Sequence, residues 1–417
     1  MVDSKAIRLV DRYVGSALCA LFSLAHAFRR RPSPAPIHRV LVMELFEMGA
    51  AVLAYPALNY IRKKLPDAEI YCLCTDSVKQ SWRILGCIPD ERIITVSGGS
   101  PIRFCVSLLR TVIALRRLQL DLLVDLELFM RISSIVAFLS GARLKAGFNR
   151  FHMEGLFRGT YYDYPVAFNQ NTHISRNFLS VVKTALLDKH DYPNLKECVA
   201  SDDVEYARYR SNPEIAARMR ERIAGVYPDY AQRRIVLICP SVGPTLAVRN
   251  YPRQHFVEVV KGLLSARHDV LALLVGVKGD RSVCEAICAA VAHDRCIDFC
   301  GMTADLTDLM ELISLSRLII GNDNGPLHFA SMTDCRILGL FSTDSPFIYG
   351  PVGHGVVMYQ FYQCSPCIFA YNHKRSRCTD NRCLQSLAPE KVCRFAQGML
   401  EGTIAYRTIN GEIPYLF

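Results

Sequence analysis

The chain passes from strand to helix in the stretch Leu318-Ile319-Ile320-Gly321-Asn322-Asp323-Asn324-Gly325-Pro326-Leu327-His328-Phe329-Ala330. Its first three residues form an apolar run that is typical of a strand buried on both faces of a sheet. Pro326 suits the first turn of a helix, because the amide hydrogen that it lacks would have no partner there. A strand followed directly by a helix is the repeating unit of parallel sheets, so this stretch predicts an α/β fold.

The polar turn in this stretch has two interpretations. Gly325 allows the backbone to approach a ligand closely, and the amide groups at the start of the following helix favour a diphosphate. His328 would add a hydrogen-bond donor for a phosphate oxygen. Alternatively the turn binds nothing, and Asp323 or Asn324 caps the helix with its side chain. The residues of the turn leave both interpretations open.

Short apolar runs alternate with helical patterns in both halves of the chain. The predicted strands are residues 39–43, 68–74, 92–96, 121–126 and 143–148 in the first half, and 235–239, 270–275, 318–321 and 336–341 in the second. This alternation predicts two Rossmann-like domains with parallel sheets, and a ligand cleft at the carboxyl ends of their strands. No Gly-x-Gly-x-x-Gly motif follows a predicted strand, which argues against a dinucleotide dehydrogenase.

A change in composition indicates the domain boundaries, because a polar segment with many charged residues interrupts the alternation near its middle. The predicted segments are a membrane-associating helix and linker at 1–36, a first Rossmann-like domain at 37–200, an inter-domain helical segment at 201–234, a second Rossmann-like domain at 235–385, and a helix and tail at 386–417.

Composition limits the classes of function. The chain has 417 residues, of which 51% are hydrophobic and 21% are charged, so it is long enough for two folded domains. Its net charge of +10 suits anionic partners such as phosphorylated substrates or acidic lipid headgroups. No nucleic-acid partner is expected, because we find no zinc-finger spacing and no long basic tract. The 17 cysteines favour free thiols in a cytoplasmic protein over a disulfide scaffold.

The amino-terminal segment contains an uncharged, apolar run at residues 14–28 with arginines on both sides. As a helix this run is about 22 Å long, which is shorter than the roughly 30 Å hydrocarbon core of a membrane. Three interpretations stay open: an interfacial or re-entrant membrane anchor, a helix packed on the protein, and a secretory signal. The arginines at 29–31 argue against the signal, because basic flanks stay on the cytoplasmic side. The proline-rich residues 32–36 indicate a stiff linker.

Two further loops of the second half follow predicted strands. The loop at residues 240–245 is rich in small residues and is followed by Arg249, a combination that suits phosphate recognition. Ser241 and Arg249 are therefore candidate ligand contacts. Asp280, in the loop after the next strand, either accepts hydrogen bonds from ribose hydroxyl groups or caps a helix.

Candidate bases lie in the first half of the chain. Glu44 and Glu47 follow the first predicted strand, where a carboxylate can take the proton from an attacking hydroxyl group or simply cap a helix. We predict Glu47 as the base, with Glu44 and Glu127 as alternatives; Glu127 follows the strand at 121–126. His173, in a polar loop, is either a contact for an acceptor substrate or an ordinary surface histidine.

A group of cysteines lies near the carboxyl terminus, at Cys364, Cys367, Cys378 and Cys383. A Cys-x-x-Cys pair followed by two more cysteines suits a structural zinc site. The second pair is more widely spaced than in the commonest zinc ribbons, so reduced thiols or disulfide pairing remain alternatives.

Three motifs together resemble glycosyltransferase family 9, the ADP-heptose:lipopolysaccharide heptosyltransferases. They are the Met48-Gly49 loop with Tyr55-Pro56-Ala57-Leu58, the segment Arg249-Asn250-Tyr251-Pro252-Arg253-Gln254-His255-Phe256, and Asp323-Asn324-Gly325-Pro326-Leu327-His328-Phe329-Ala330. The resemblance extends over about residues 39–392. It implies two Rossmann-like domains in a GT-B arrangement and an inverting sugar transfer that requires no metal or other cofactor. It also implies that Asp323, Gly325 and His328 line the donor diphosphate.

The chain departs from the family pattern at two positions, as a diverged member would. Ala50 stands where the heptosyltransferases carry an aspartate, the presumed base, and Arg249 stands in place of a lysine. Arginine still neutralises phosphate, with a forked geometry, but alanine cannot accept a proton. Glu47, Glu44 or Glu127 would have to supply the missing carboxylate.

The predicted protein is a glycosyltransferase that moves a sugar, heptose by resemblance, from a nucleotide-diphosphate donor. The expected acceptor is lipopolysaccharide or another lipid-linked glycan of the cell envelope. The expected location is the cytoplasmic face of the inner membrane, with peripheral attachment to the membrane surface. Two rivals remain: a nucleotide-sugar epimerase of the same architecture, and an inactive sugar-nucleotide-binding scaffold that Ala50 would explain.

Overall fold

The chain divides into two compact units. The computed structural model describes residues 5–29, 35–128, 130–148, 157–190, 195–200, 203–369, 376–404 and 415–416. The N-terminal unit comprises Met1–Ala207 with Phe369–Lys374, and the C-terminal unit comprises Arg208–Ile368 with Arg375–Phe417. The division after Ala207 falls inside the predicted inter-domain segment 201–234.

The N-terminal unit is built on a parallel sheet of six strands in the order β3-β2-β1-β4-β5-β6. The strands are β1 (Arg39–Met43), β2 (Glu69–Thr75), β3 (Ile93–Val96), β4 (Leu122–Asp125), β5 (Leu144–Phe148) and β6 (Tyr164–Val166). The helices are α1 (Lys5–Val10), α2 (Ser16–Ala27), α3 (Met48–Leu53), α4 (Tyr55–Lys64), α5 (Lys79–Leu85), α6 (Pro101–Arg117), α7 (Ile132–Leu139) and α8 (Ile174–Leu186).

The C-terminal unit is built on a parallel sheet of seven strands in the order β13-β12-β11-β10-β7-β8-β9. The strands are β7 (Arg234–Cys239), β8 (Val270–Leu274), β9 (Cys296–Asp298), β10 (Leu318–Asn322), β11 (Arg336–Phe341), β12 (Gly355–Tyr359) and β13 (Tyr415–Leu416). The helices are α9 (Pro213–Val226), α10 (Arg253–Ala266), α11 (Arg281–Val291), α12 (Leu306–Ser314), α13 (Gly325–Ala330), α14 (Pro346–Tyr349), α15 (Arg382–Gln385) and α16 (Pro389–Glu401).

Both sheets have the apolar character that parallel pairing requires. The residues of β4, β8 and β10 are all buried, because helices cover both faces of the sheet. In the part of the chain that the structure describes, every strand pairing is parallel. The prediction of an α/β protein with two Rossmann-like domains is therefore confirmed.

The N-terminal helical segment packs one of its faces on the N-terminal unit. It runs through α1, a π-helical turn at Asp11–Gly15 and α2. Asp11 forms a buried ion pair with Arg131, with Oδ2 and Nη1 3.1 Å apart. Phe22 stacks on Phe138 of α7 with ring centroids 4.3 Å apart. The packed-helix interpretation of this segment therefore holds for one face.

The opposite face of this segment carries exposed apolar side chains, among them Leu21, Leu24 and Phe28. Among the described residues, no helix is both long enough and apolar enough to cross a membrane. Residues 32–34 of the predicted proline-rich linker at 32–36 lie outside the described residues.

A buried ion pair lies at the carboxyl end of β4. Asp125 and Arg158 have no exposed side-chain surface, and Asp125 also accepts a hydrogen bond from the Tyr162 hydroxyl at 2.6 Å. Burial by itself would lower the pKa of Arg158, but the Asp125 carboxylate outweighs it and raises that pKa. Arg158 therefore stays charged and compensates a carboxylate that has lost its water.

We expect Arg158→Met to destabilise the N-terminal unit by about 3–5 kcal/mol, because it leaves a buried carboxylate uncompensated. Trp82, the only tryptophan, is fully buried in the same unit, so its fluorescence during denaturant unfolding measures the loss. The double variant Arg158→Met, Asp125→Asn should recover part of the lost stability. Lys63→Met is the control, because Lys63 pairs with Glu205 at a half-exposed site, where a pair contributes about 1 kcal/mol or less. Equal losses in Arg158→Met and Lys63→Met would contradict the expectation.

Candidate functional site

Each sheet reverses its strand order at one point, and the predicted donor-site residues and candidate bases follow the strands beside it. In the C-terminal unit β7 and β10 are neighbours, with β8 on one side of the pair and β11 on the other. In the N-terminal unit the same reversal lies between β1 and β4. The loops that follow two such strands diverge and open a crevice at the carboxyl edge of the sheet, where ligands bind in this kind of fold.

Arg249 lies at the reversal point of the C-terminal unit. It ends the 3₁₀ turn Pro244–Arg249 that follows β7. Its Nε donates to Thr343 Oγ1 at 3.1 Å and its Nη2 donates to the Asp344 carboxylate. Its Nη1 lies 3.6 Å from the Asp323 carboxylate. The guanidinium group is thus oriented by side chains that follow β10 and β11, and the structure brings Arg249 and Asp323 together.

The remaining loops of this edge are tied to one another by side-chain hydrogen bonds. Ser241 Oγ donates to Asp280 at 2.7 Å. Asn324 Nδ2 donates to the backbone carbonyl of Ser241 at 3.2 Å. The other Asp280 oxygen accepts from the amide of Val277 at 3.1 Å. The structure therefore assembles Ser241, Asp280 and Asn324 beside one another, as expected of residues that follow β7, β8 and β10.

Sequence reasoning missed three residues of this edge. Thr343 and Asp344 accept hydrogen bonds from Arg249. Asn322, fully buried, accepts from the amide of Tyr251 at 2.8 Å and donates to the carbonyl of Pro240 at 3.0 Å. It thereby joins the loops after β7 and β10. Their positions in the sequence could have revealed them, because each of these polar residues stands at or just after the end of an apolar strand.

The turn before α13 is not closed by an asparagine cap. Asn324 occupies the N-cap position, but its side chain makes no capping hydrogen bond and is directed to Ser241 instead. Helix α13 has only six residues, so its dipole is weak. A carbon atom added at Gly325 would meet only Phe329, at 3.6 Å, and His328 lies buried in the same short helix. An anion at this edge would depend mainly on Arg249.

The three candidate bases lie at the reversal point of the N-terminal unit, beside Asp125 at the end of β4. Glu44 and Glu127 are buried, with 2% and 1% of their surface exposed, and Glu47 is half-buried at the N-cap of α3. The amide of Glu127 donates to Asp125 at 3.0 Å. Sequence reasoning missed Asp125 and its partner Arg158, although a charged residue at the end of an apolar strand was a visible signal. Ala50 lies in α3 and offers no acid–base group.

His173 is not a surface histidine. It is 1% exposed and forms the N-cap of α8. Its Nδ1 accepts from the amide of Ser175 at 3.3 Å and lies 2.7 Å from the hydroxyl oxygen of the same residue. The surface interpretation is wrong, because capping the helix holds the ring inside the unit. Its role as an acceptor contact stays a prediction.

Two of the four cysteines near the carboxyl terminus donate hydrogen bonds to oxygen atoms. Cys367 Sγ donates to Ser376 at 3.4 Å, and Cys378 Sγ donates to the carbonyl of Asp380 at 3.1 Å. Cys364 and Cys378 are exposed and Cys383 is buried. Structural zinc and reduced thiols both stay predictions for these four cysteines, and alkylation distinguishes them.

Among the described residues, a different group has the spacing that a metal ion needs. The ligand atoms of Cys284, Asp298 and Cys300 all lie within 4.8 Å of one another. Burial raises the pKa of both thiols in this group. A metal ion at this group would have to displace the protons of both thiols.

These features define the class of protein. It is a two-domain Rossmann-like protein whose polar residues gather where the strand order of each sheet reverses. Solved structures share this fold. Escherichia coli ADP-heptose lipopolysaccharide heptosyltransferase II matches 88% of this chain and 100% of its own, with a TM-score of 0.65 and 15% identity. A family 9 glycosyltransferase from Veillonella parvula matches 89% of this chain and 100% of its own, with a TM-score of 0.65 and 18% identity. The predicted GT-B class of fold is thereby confirmed.

The particular family follows from sequence. The profile of glycosyltransferase family 9 (heptosyltransferase) matches residues 108–375, more than half of the chain. The chain therefore belongs to glycosyltransferase family 9, and the predicted family and enzyme class are confirmed. Lipopolysaccharide heptosyltransferase 2 of Salmonella typhimurium is 27% identical over 129 residues, and that of Escherichia coli is 26% identical over 129 residues. The aligned part spans 30% of this chain and 35% of each of these relatives.

We expect alkylation of the native protein by iodoacetamide to label Cys364 and Cys378 as readily as Cys105, which is also exposed. Thiols that a zinc ion holds are protected from alkylation. Buried Cys239 should stay unlabelled until the protein unfolds, because burial raises its pKa to about 12. Peptide mass spectrometry measures the labelling at each site. Protection of Cys364 and Cys378 that disappears with a chelator would contradict this expectation and support zinc.

Proposed function

We propose that this family 9 protein transfers a sugar from a nucleotide-diphosphate donor to a glycan of the cell envelope. The observation that carries the proposal is the oriented Arg249 at the reversal point of the C-terminal sheet. Heptose is the proposed sugar and lipopolysaccharide the proposed acceptor, because the curated relatives are named lipopolysaccharide heptosyltransferases. The location proposed with them is the cytoplasmic face of the inner membrane.

In the proposed donor site Arg249 binds the diphosphate. A guanidinium group offers several donors in one plane, so it can bind a phosphate oxygen while a carboxylate still holds it. Asp323 and Asp344 are negative and would repel a diphosphate at close range. We therefore assign them to orienting Arg249 and to accepting hydrogen bonds from sugar hydroxyl groups.

The other residues of this edge have matching roles in the proposal. His328 and the backbone beside Gly325 complete the diphosphate contacts. Asp280, aligned by Ser241, accepts hydrogen bonds from ribose hydroxyl groups, and Asn324 completes that side of the site. As the glycosidic bond breaks, negative charge grows on the leaving diphosphate, and a positioned cation stabilises it. Arg249 supplies this charge, so the proposed inverting transfer needs no metal ion.

Glu47 is the proposed base of the N-terminal unit. A base has to reach the acceptor hydroxyl group within hydrogen-bond distance. Glu47 is half-buried, whereas Glu44 and Glu127 are enclosed in the unit. Glu47 is thus the carboxylate that reaches a ligand with the least rearrangement, and the other two remain alternatives.

Donor binding tests the assignment of Arg249. We expect Arg249→Gln to weaken binding of the preferred donor about 10- to 100-fold, because a hydrogen bond to a charged group contributes roughly 1.5–3 kcal/mol. Isothermal titration with ADP-, UDP- and GDP-sugars measures the affinity and identifies the nucleotide. Arg253→Gln is the matched control, because Arg253 lies exposed at the start of α10. Unchanged affinity in folded Arg249→Gln would refute the assignment.

Turnover tests the base. We expect Glu47→Gln to lower turnover about 10²- to 10⁴-fold, because that is the contribution of a positioned proton acceptor, and to leave donor affinity unchanged. Transfer of labelled sugar to a glycolipid fraction is measured with a chelator present, and Glu91→Gln serves as an exposed control. Full activity in Glu47→Gln, with loss in Glu44→Gln or Glu127→Gln, would move the base to that residue.

The same assay separates the rival functions. Donor binding by the unaltered protein without any transfer would indicate a scaffold, and isomerised free donor would indicate an epimerase. Loss of turnover on chelation would contradict the metal-independent mechanism.

A further inference from the structure

Exposed apolar side chains concentrate on two parts of the N-terminal unit. Among the described residues, most of the large apolar side chains that face solvent lie either on the segment from α1 to Phe28 or on α6. They are Leu9, Val10, Tyr13, Val14, Leu21, Leu24, Phe28, Ile102, Val106, Leu109 and Ile113. Scattered single apolar residues are normal on a protein surface, but a concentration of this kind indicates an interaction site.

Helix α6 presents its apolar residues as a stripe. Ile102, Val106, Leu109 and Ile113 are spaced by four, three and four residues, so they share one face of the helix. Their exposed fractions are 78%, 45%, 62% and 46%. The buried residues of α6, Thr111, Val112 and Leu115, lie on the opposite face. The core of the unit therefore does not account for the exposed stripe.

The amino-terminal segment has the same two-faced design. Its inner face packs on the unit through Asp11, Cys19 and Phe22. Its outer face carries Leu21, which is 59% exposed, and Phe28, which is 84% exposed.

Helix α7 lies in contact with both α2 and α6. Phe22 of α2 stacks on Phe138 of α7. Arg116 of α6 donates from Nε to the carbonyl of Leu139, at the end of α7, at 2.7 Å. The three helices therefore form one layer on the N-terminal unit. We name the outer faces of the amino-terminal segment and α6 the two-helix surface.

The charges around this surface are almost all positive. Arg103, Arg110 and Arg117 are exposed along one side of the α6 stripe, seven residues apart, and α6 contains no acidic residue. Arg12 and Arg29 are exposed on the amino-terminal segment, whose one acidic residue within the described range, Asp11, is buried against Arg131. An apolar stripe flanked by arginines complements a surface that is apolar beneath and anionic on top.

We propose that the two-helix surface docks on an anionic lipid bilayer, with the apolar side chains entering the acyl boundary and the arginines contacting headgroups. Interfacial helices bind membranes in this way without crossing them. The proposal rests on the proposed function in one respect, because it places the enzyme where a lipid-linked acceptor is embedded.

Charge favours a bilayer over a second copy of the chain as the occupant. A symmetric dimer would bring the same patch of both copies together, so the arginines of one α6 would face those of the other without acidic partners. Like charges at an interface oppose association. An anionic bilayer supplies the opposite charge over the whole surface.

Sedimentation with lipid vesicles tests the proposal. The full chain should bind vesicles of phosphatidylcholine with phosphatidylglycerol, and the double variant Leu109→Glu, Ile113→Glu should bind them roughly tenfold or more weakly. Leu187→Glu with Gln232→Glu is the matched control, because it adds the same charge outside the two-helix surface. A second variant, Arg103→Gln with Arg110→Gln, should weaken binding to these vesicles and leave binding to pure phosphatidylcholine unchanged.

Equal vesicle binding by the α6 variants and the control would overturn the proposal, as would an unaltered chain that binds no vesicles. A dimer in sedimentation equilibrium that Leu109→Glu, Ile113→Glu dissociates would overturn it in favour of a second copy. Donor titration of the same proteins separates this proposal from the proposed function. The α6 variants should keep donor affinity, so lost vesicle binding with intact donor binding concerns the surface alone.

Discussion

The parallel pairing of β10 with β7 is the constraint on which the candidate donor site depends. In this pairing Gly321 lies opposite Cys239, and a carbon atom added at Gly321 would come within 2.8 Å of the Cys239 side chain. The two strands can approach closely because one of them carries glycine at this point. Their carboxyl ends therefore lie side by side, and the loops that contain Arg249 and Asp323 start from a shared edge.

The two units stabilise the polar groups at the carboxyl edges of their sheets in different ways. In the C-terminal unit, neutral side chains such as Asn322 and Ser241 connect the loops through hydrogen bonds, and Arg249 is shared between carboxylates. In the N-terminal unit the fully buried Asp125–Arg158 pair holds the edge. Such a pair contributes little net stability but is costly to break. The C-terminal edge thus resembles a prepared ligand site, and the N-terminal edge combines a rigid support with carboxylates beside it.

The amino-terminal segment illustrates how one helix serves two environments. Residues spaced by three or four positions share a face, so Asp11, Cys19 and Phe22 pack inward while Leu21 and Phe28 remain outside. Removing the whole segment would expose the side of α7 that Phe22 covers, and it would also remove the outer face of the segment. Substitutions on the outer face of this layer are therefore more informative than a truncation.

Local sequence patterns were sufficient for much of the fold. The predicted strands at 39–43 and 336–341 coincide with β1 and β11, because a buried parallel strand is a continuous apolar run between polar turns. β6, β9, β12 and β13 were missed. β12 is a buried run of five residues, Gly355–Tyr359, whereas β6, β9 and β13 have only two or three residues each, and β6 contains Pro165 at the edge of its sheet. Runs of that length carry too few residues to show a pattern.

The sequence by itself determined the α/β class, the two-domain organisation and the loops in which polar residues follow apolar strands, because these depend on neighbours along the chain. Only the tertiary structure decided which of those polar residues meet. Arg249 and Asp344 are 95 positions apart, and Asp125 and Arg158 are 33 positions apart. Such contacts depend on the order of strands in the sheet, which places distant loops at one edge.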